Sequence, residues 1–146
     1  MDVSYLKLKD SNSGARVHIG VRATSGSVML LFAFELGDSE IAFGPEDGQH
    51  IITLLEEALA ADFQSVSGNH MQGASHRFRN LDGGAEAAFI VNASNNAIEI
   101  TVERSDEGNE SFYISNVDTR TLRDTLKSAL KLAATPDQLH TTRDGV

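Results

Sequence analysis

Two stretches decide the fold: residues 41–59, IAFGPEDGQHIITLLEEAL, and residues 112–130, FYISNVDTRTLRDTLKSAL. Each opens on alternating apolar residues, Ile41 and Phe43 in one and Phe112 and Ile114 in the other, with the two-residue period of a strand. Each then passes a helix-start signal. Pro45 sits in a first turn, where its missing N–H is no loss, and Glu46 and Asp47 face the positive end of the helix dipole. In the second stretch Asp118 or Thr119 offers a side-chain cap. Apolar stripes at helical spacing follow: Ile51, Leu54, Leu55, Ala58 and Leu59, then Leu122, Leu126, Ala129, Leu130 and Ala133. Shifted by 71 residues, Ile41 falls on Phe112, Asp47 on Asp118 and Leu55 on Leu126. Strand, turn and helix stripe align at one offset, which marks an internal repeat.

Ahead of each stretch lie three more strand patterns. In the first copy they span residues 4–9, 16–23 and 28–36, with the fourth strand at 40–43. Residues 16–23 alternate strictly, with Val17, Ile19 and Val21 on one face and Arg16, His18 and Arg22 on the other. Residues 28–36 are apolar almost throughout, the pattern of a central strand covered on both faces. In the second copy the strands are 76–81, 86–93, 97–104 and 111–115. Gly, Asn, Asp and Ser clusters separate them in both copies. The fold expected is α+β: a tandem ββββα repeat with two antiparallel four-stranded sheets and two helices, related by a pseudo-twofold axis. Residues 1–63 form the first repeat, 64–75 a Gly-, Ser-, Asn- and Gln-rich linker, 76–134 the second repeat, and 135–146 a disordered tail. A unit of about 70 residues buries too little surface to stand comfortably alone, so the two copies are expected to pack into one intertwined domain.

Composition narrows the function. The 146 residues carry 12 Lys and Arg against 21 Asp and Glu, a net charge of −9. Such a balance disfavours a duplex-DNA coat or an anionic-membrane binder. Leu, Ile, Val and Phe number 38, enough for a core and too many for a disordered chain. The absence of Cys removes disulfides, thiolate nucleophiles and Cys-ligated metals together. No apolar run reaches a membrane span, and the start MDVSYLKLKD has no signal-peptide core, so a cytoplasmic protein is expected.

Catalytic and metal motifs are missing as well. There is no G-x-S-x-G, H-E-x-x-H or phosphate-cradling P-loop. Ser4/Lys7 and Ser128/Lys131 match Ser-x-x-Lys only by the accident of a strand and a solvated helix face. The five His lack a helical i, i+4 pair, so no metal, cofactor or catalytic residue is expected.

The cations are more informative, because they gather on the leading strands. Lys7 and Lys9 share a face of the first strand, and Arg16, His18 and Arg22 share a face of the second. Arg77 and Arg79 repeat the i, i+2 pair in the second copy, with Tyr5, His76 and Phe78 as nearby rings. Cations with flat rings on an open sheet suit single-stranded nucleic acid, whose backbone charge and base faces are met without sequence readout. A tandem ββββα repeat with apolar helix stripes and polar sheet faces also resembles the Whirly and Pur-type single-stranded nucleic-acid-binding folds and their smaller coactivator relatives. The resemblance spans residues 4–134 at the level of topology, without a shared signature motif. It implies sheet faces that contact single strands and helices that form the packing core or dimer contact.

The expected site is therefore Lys7, Lys9, Arg16, His18, Arg22, His76, Arg77 and Arg79, and the expected partner is single-stranded DNA or RNA. A homo-oligomer is expected too, to cover sheet edges and the apolar Phe63 and Val66. The alternative is an acidic protein–protein module, of the immunity-protein, phage-inhibitor or adaptor kind. It would face a basic protein partner through Glu99, Glu103, Asp106, Glu107 and Glu110.

Overall fold

A computed structural model describes residues 3–34, 37–60, 72–93, 97–106 and 108–134. These form, in order, β1 (Val3–Lys9), β2 (Arg16–Thr24), β3 (Ser27–Phe34), β4 (Gly37–Phe43), α1 (Pro45–Ala60), β5 (Gln72–Arg79), β6 (Glu86–Ala93), β7 (Ile98–Arg104), β8 (Gly108–Ile114) and α2 (Asn116–Ala134). β1 to β4 make one antiparallel four-stranded sheet in sequence order, and β5 to β8 make the other. The α+β tandem ββββα arrangement read from the sequence is the one observed.

Cross-strand pairing sharpens the repeat. The first hairpin pairs Lys9 with Arg16 and the equivalent hairpin pairs Arg79 with Glu86, an offset of 70. Past the third strand the offset becomes 71, because Phe34 pairs with Gly37 while Arg104 pairs with Gly108. The second copy has one extra residue in that turn.

Each helix covers the sheet of the other repeat. α2 lies on β1, β2 and β3, while α1 lies chiefly on β5 and β6, and the two helices pack against each other. One continuous core results. Val17, Ile19, Val21, Leu30, Phe32 and Phe43 of the first sheet, Phe89, Val91, Ile100 and Phe112 of the second, and Ile51, Ile52, Leu55, Leu122, Leu126 and Leu130 of the helices belong to one buried cluster, in which the Phe112 ring packs against Phe32 and Phe34 with centroids 5.8 and 5.7 Å apart. The close approach of the helices depends on Gly48, where an added Cβ would stand 2.6 Å from Leu130 Cδ2 and 3.1 Å from Phe43 Cε1. Main-chain bonds tie the exchange down: Gly26 N–H in the β2–β3 turn donates to Ala133 O near the end of α2, at 3.0 Å.

Several expectations need correction. The linker was expected to run to residue 75, but Gln72 to Ser75 belong to β5; residues 64–71, with Val66, lie outside the described residues, as do Phe63 and the tail. β5 ends at Arg79, since Asn80 turns inward and binds the turn instead of extending the strand. The cap of α2 is Ser115, not Asp118 or Thr119. Its Oγ accepts from Asp118 N–H at 3.1 Å, which leaves Asp118 in the first turn against the helix dipole. β3 is not covered on both faces: the helices lie on one side only, and Met29, Leu31 and Ala33 remain half-buried on the other.

Candidate functional site

Residues paired directly across antiparallel strands share a face. On the first sheet Tyr5 pairs with Gly20, Lys7 with His18, and Lys9 with Arg16; Arg22 continues the same face of β2. Tyr5, Lys7, Lys9, Arg16, His18 and Arg22 therefore project together from the side opposite α2. The four Lys and Arg side chains are exposed and His18 is half-buried. Neither strand, VSYLKLK or RVHIGVRAT, contains a carboxylate. Among the described residues none of the four cations is paired with an acid.

The next strand adds an apolar floor. Met29, Leu31 and Ala33 pair with Arg22, Gly20 and His18. Acids enter only on β4, where Glu40 and Asp38 pair with Leu31 and Ala33. That is three strand spacings from β1, or about 14 Å. Tyr5 is 72% exposed, yet it rests on the sheet: a Cβ added at Gly20 would lie 3.4 Å from its Cε1 and 3.6 Å from its Cδ1.

The equivalent face of the second sheet is different in charge. Arg77 and Arg79 occupy the places of Lys7 and Lys9, but Glu86, Ala88 and Asn92 replace Arg16, His18 and Arg22. Arg79 pairs directly with Glu86, and its Nη1 donates to Gly84 O at 3.1 Å. Glu103 pairs with Ala88 beside Arg77, and Glu99 lies further along β7. A cavity of about 130 Å³ opens here between Arg77, Glu86, Glu103 and Asn109. Tyr113 pairs with Glu99, whose carboxylate accepts its phenol hydrogen and holds the hydroxyl above the ordinary tyrosine range. Here acids stand directly opposite and beside the arginines, whereas on the first sheet the β1–β2 half of the face is basic and acids enter only on β4.

His76 does not join Arg77 and Arg79. Successive strand residues point to opposite faces, so His76 and Phe78 turn toward the helices. His76 Nε2 lies 2.8 Å from Asp47 Oδ1 on α1, and its ring stacks on His50 with centroids 4.5 Å apart. Phe78 is buried edge-on against Phe43 at 5.9 Å. His76 belongs to the α1–β5 contact, and Phe78 packs on β4. The strand period alone contained that outcome.

The acidic set is divided as well. Glu99 and Glu103 share the outer face of β7, whereas Glu110 pairs with Val102, a core-facing position. Asp106 is bound by Arg104, with Nη2 to Oδ2 at 3.1 Å, and the guanidinium holds its carboxyl below the usual carboxylate range. Glu107 lies outside the described residues.

Among the described residues no three His, Asp or Glu side chains form a metal-holding group, and no helix is long and apolar enough to cross a membrane. No protein-family model, curated protein or solved structure matches this chain.

Proposed function

We propose that the chain is a non-catalytic binder of single-stranded DNA or RNA, and that it uses the outer face of the first sheet alone. One observation carries the reading. In a chain of net charge −9, the hairpin β1–β2 holds on one face four Lys and Arg that pair with no acid among the described residues, and neither strand contains a carboxylate. Cations left unneutralised in an acidic protein concentrate positive potential where it attracts a polyanion. The open sheet, with Tyr5 and the Met29–Leu31 floor, presents apolar surface to unpaired bases while the rim meets the backbone.

About four phosphate contacts make affinity modest and strongly salt-dependent. Fluorescence anisotropy of a labelled single strand, with a duplex of the same sequence as competitor, tests the reading. Binding at low salt that the duplex displaces poorly supports it. An unlabelled duplex that competes as well as the single strand contradicts it.

A further inference from the structure

Resting on that reading, we infer that Tyr5 is the position that selects an unpaired base over a bare polyanion. The internal repeat supplies the comparison. Tyr5 opposite Gly20 in the first sheet corresponds to Ser75 opposite Ile90 in the second, so large and small exchange strands. The backbone does not call for glycine there: Gly20 is not among the residues with positive φ, and its counterpart accommodates isoleucine. What Gly20 provides is room. Its missing side chain lets the Tyr5 ring settle across β2 beside Leu31, whose Cβ lies 3.7 Å from an added Gly20 Cβ.

Laying a ring over a glycine also shields the exposed backbone, and that gain is available in any sheet. It does not account for the surroundings. Lys7 follows two residues on along the same face, and His18 and Arg22 flank Gly20 on β2. Tyr5 is nevertheless 72% exposed to solvent. An aromatic ring fixed at its base, open above and flanked by Lys7 and Arg22 is the arrangement that stacks a planar heterocycle while its phosphates meet the cations. Ser75 in the second sheet offers no such surface. The assigned ligand is a single strand with accessible bases, and heparin-like or polyphosphate chains would engage the cations without the ring.

The composition makes this directly testable, since the chain has two Tyr and no Trp. Tyr113→Phe leaves Tyr5 as the sole fluorophore. Its emission is followed while the variant is titrated with oligothymidylate or with inorganic polyphosphate, and binding of each is measured separately by competition anisotropy. Stacking predicts that oligothymidylate quenches Tyr5 by more than half at saturation, while bound polyphosphate leaves emission nearly unchanged. Tyr5→Ala is expected to weaken oligothymidylate binding about tenfold, with Tyr5→Phe close to wild type and polyphosphate binding unaffected. Oligothymidylate binding without quenching, equal quenching by polyphosphate, or a neutral Tyr5→Ala overturns the assignment and leaves the proposed function standing. No binding of the single strand at low salt removes both.

Discussion

The amide of Leu81 donates to the carbonyl of Ala42 at 2.9 Å, so the first hairpin of the second repeat closes on the last strand of the first. The reciprocal bond runs from Ser11 N–H to Tyr113 O at 2.8 Å, one hairpin and one strand away in the opposite sense. Side chains reinforce the first of these joints. Buried Asn80 accepts from Ala42 N–H at 2.8 Å and donates to Glu40 O at 3.3 Å, and Arg104 Nη1 donates to the same oxygen at 2.6 Å. Together with the exchanged helices, these bonds make the halves a single folding unit.

Thermal or denaturant unfolding should accordingly show one transition, whichever repeat is weakened. Leu55 and Leu126 are 0% and 1% exposed, and Ala at either position is expected to cost about 2–5 kcal/mol. Either substitution should move the whole curve. Two separate transitions, or losses under about 0.5 kcal/mol, would contradict the interlocked core.

Asn80→Ala removes the acceptor for Ala42 N–H and a donor to Glu40 O in a fully buried setting. Leaving a buried amide unsatisfied costs about 1–3 kcal/mol. Equilibrium unfolding should show a loss in that range, and amide exchange at Ala42 should accelerate. An unchanged exchange rate at Ala42 would mean that the bond is not what protects it.

Tyr113 gives a titration test of the second sheet. Its neutral phenol donates to Glu99, and ionisation would set two negative charges side by side, so its pKa is raised in the fold. The stability this contributes is present below the unfolded tyrosine pKa and is lost as pH rises through the raised folded value. In a Tyr5→Phe background the absorbance titration reports Tyr113 alone. Adding Glu99→Gln should lower the midpoint, and an unmoved midpoint would show that the pair is not coupled.

Much of this fold was legible because strand alternation and helix stripes are local properties. Val17, Ile19 and Val21, or Leu122, Leu126 and Leu130, declare their faces without knowledge of any partner. The exchange of helices was not legible. Both sheets have apolar inner faces of the same kind, Phe32 and Phe43 in one and Phe89 and Phe112 in the other, so either helix stripe could cover either sheet. The site divides along the same line. Lys7, Lys9, Arg16, His18 and Arg22 were placed by alternation within single strands. That Glu86 would oppose Arg79, and that Tyr5 would lie over Gly20, depends on cross-strand register, set by the turns from Asp10 to Ala15 and from Asn80 to Ala85. His76 was misplaced for a simpler reason. Grouping it with Arg77 and Arg79 by nearness in sequence set aside the two-residue period that turns it toward Asp47.

The central claim is that one sheet binds and the other does not, and its most direct test is the salt dependence of single-strand affinity in two matched charge reversals. Lys7→Glu with Arg16→Glu alters the first sheet, and Arg77→Glu with Arg79→Glu alters the second. For wild type, about four phosphate contacts predict a slope of log affinity against log salt near −3. The first double variant should abolish measurable binding, while the second should keep the wild-type slope and lose little affinity. Equal losses from both pairs, or a slope that responds only to Arg77 and Arg79, would contradict the account.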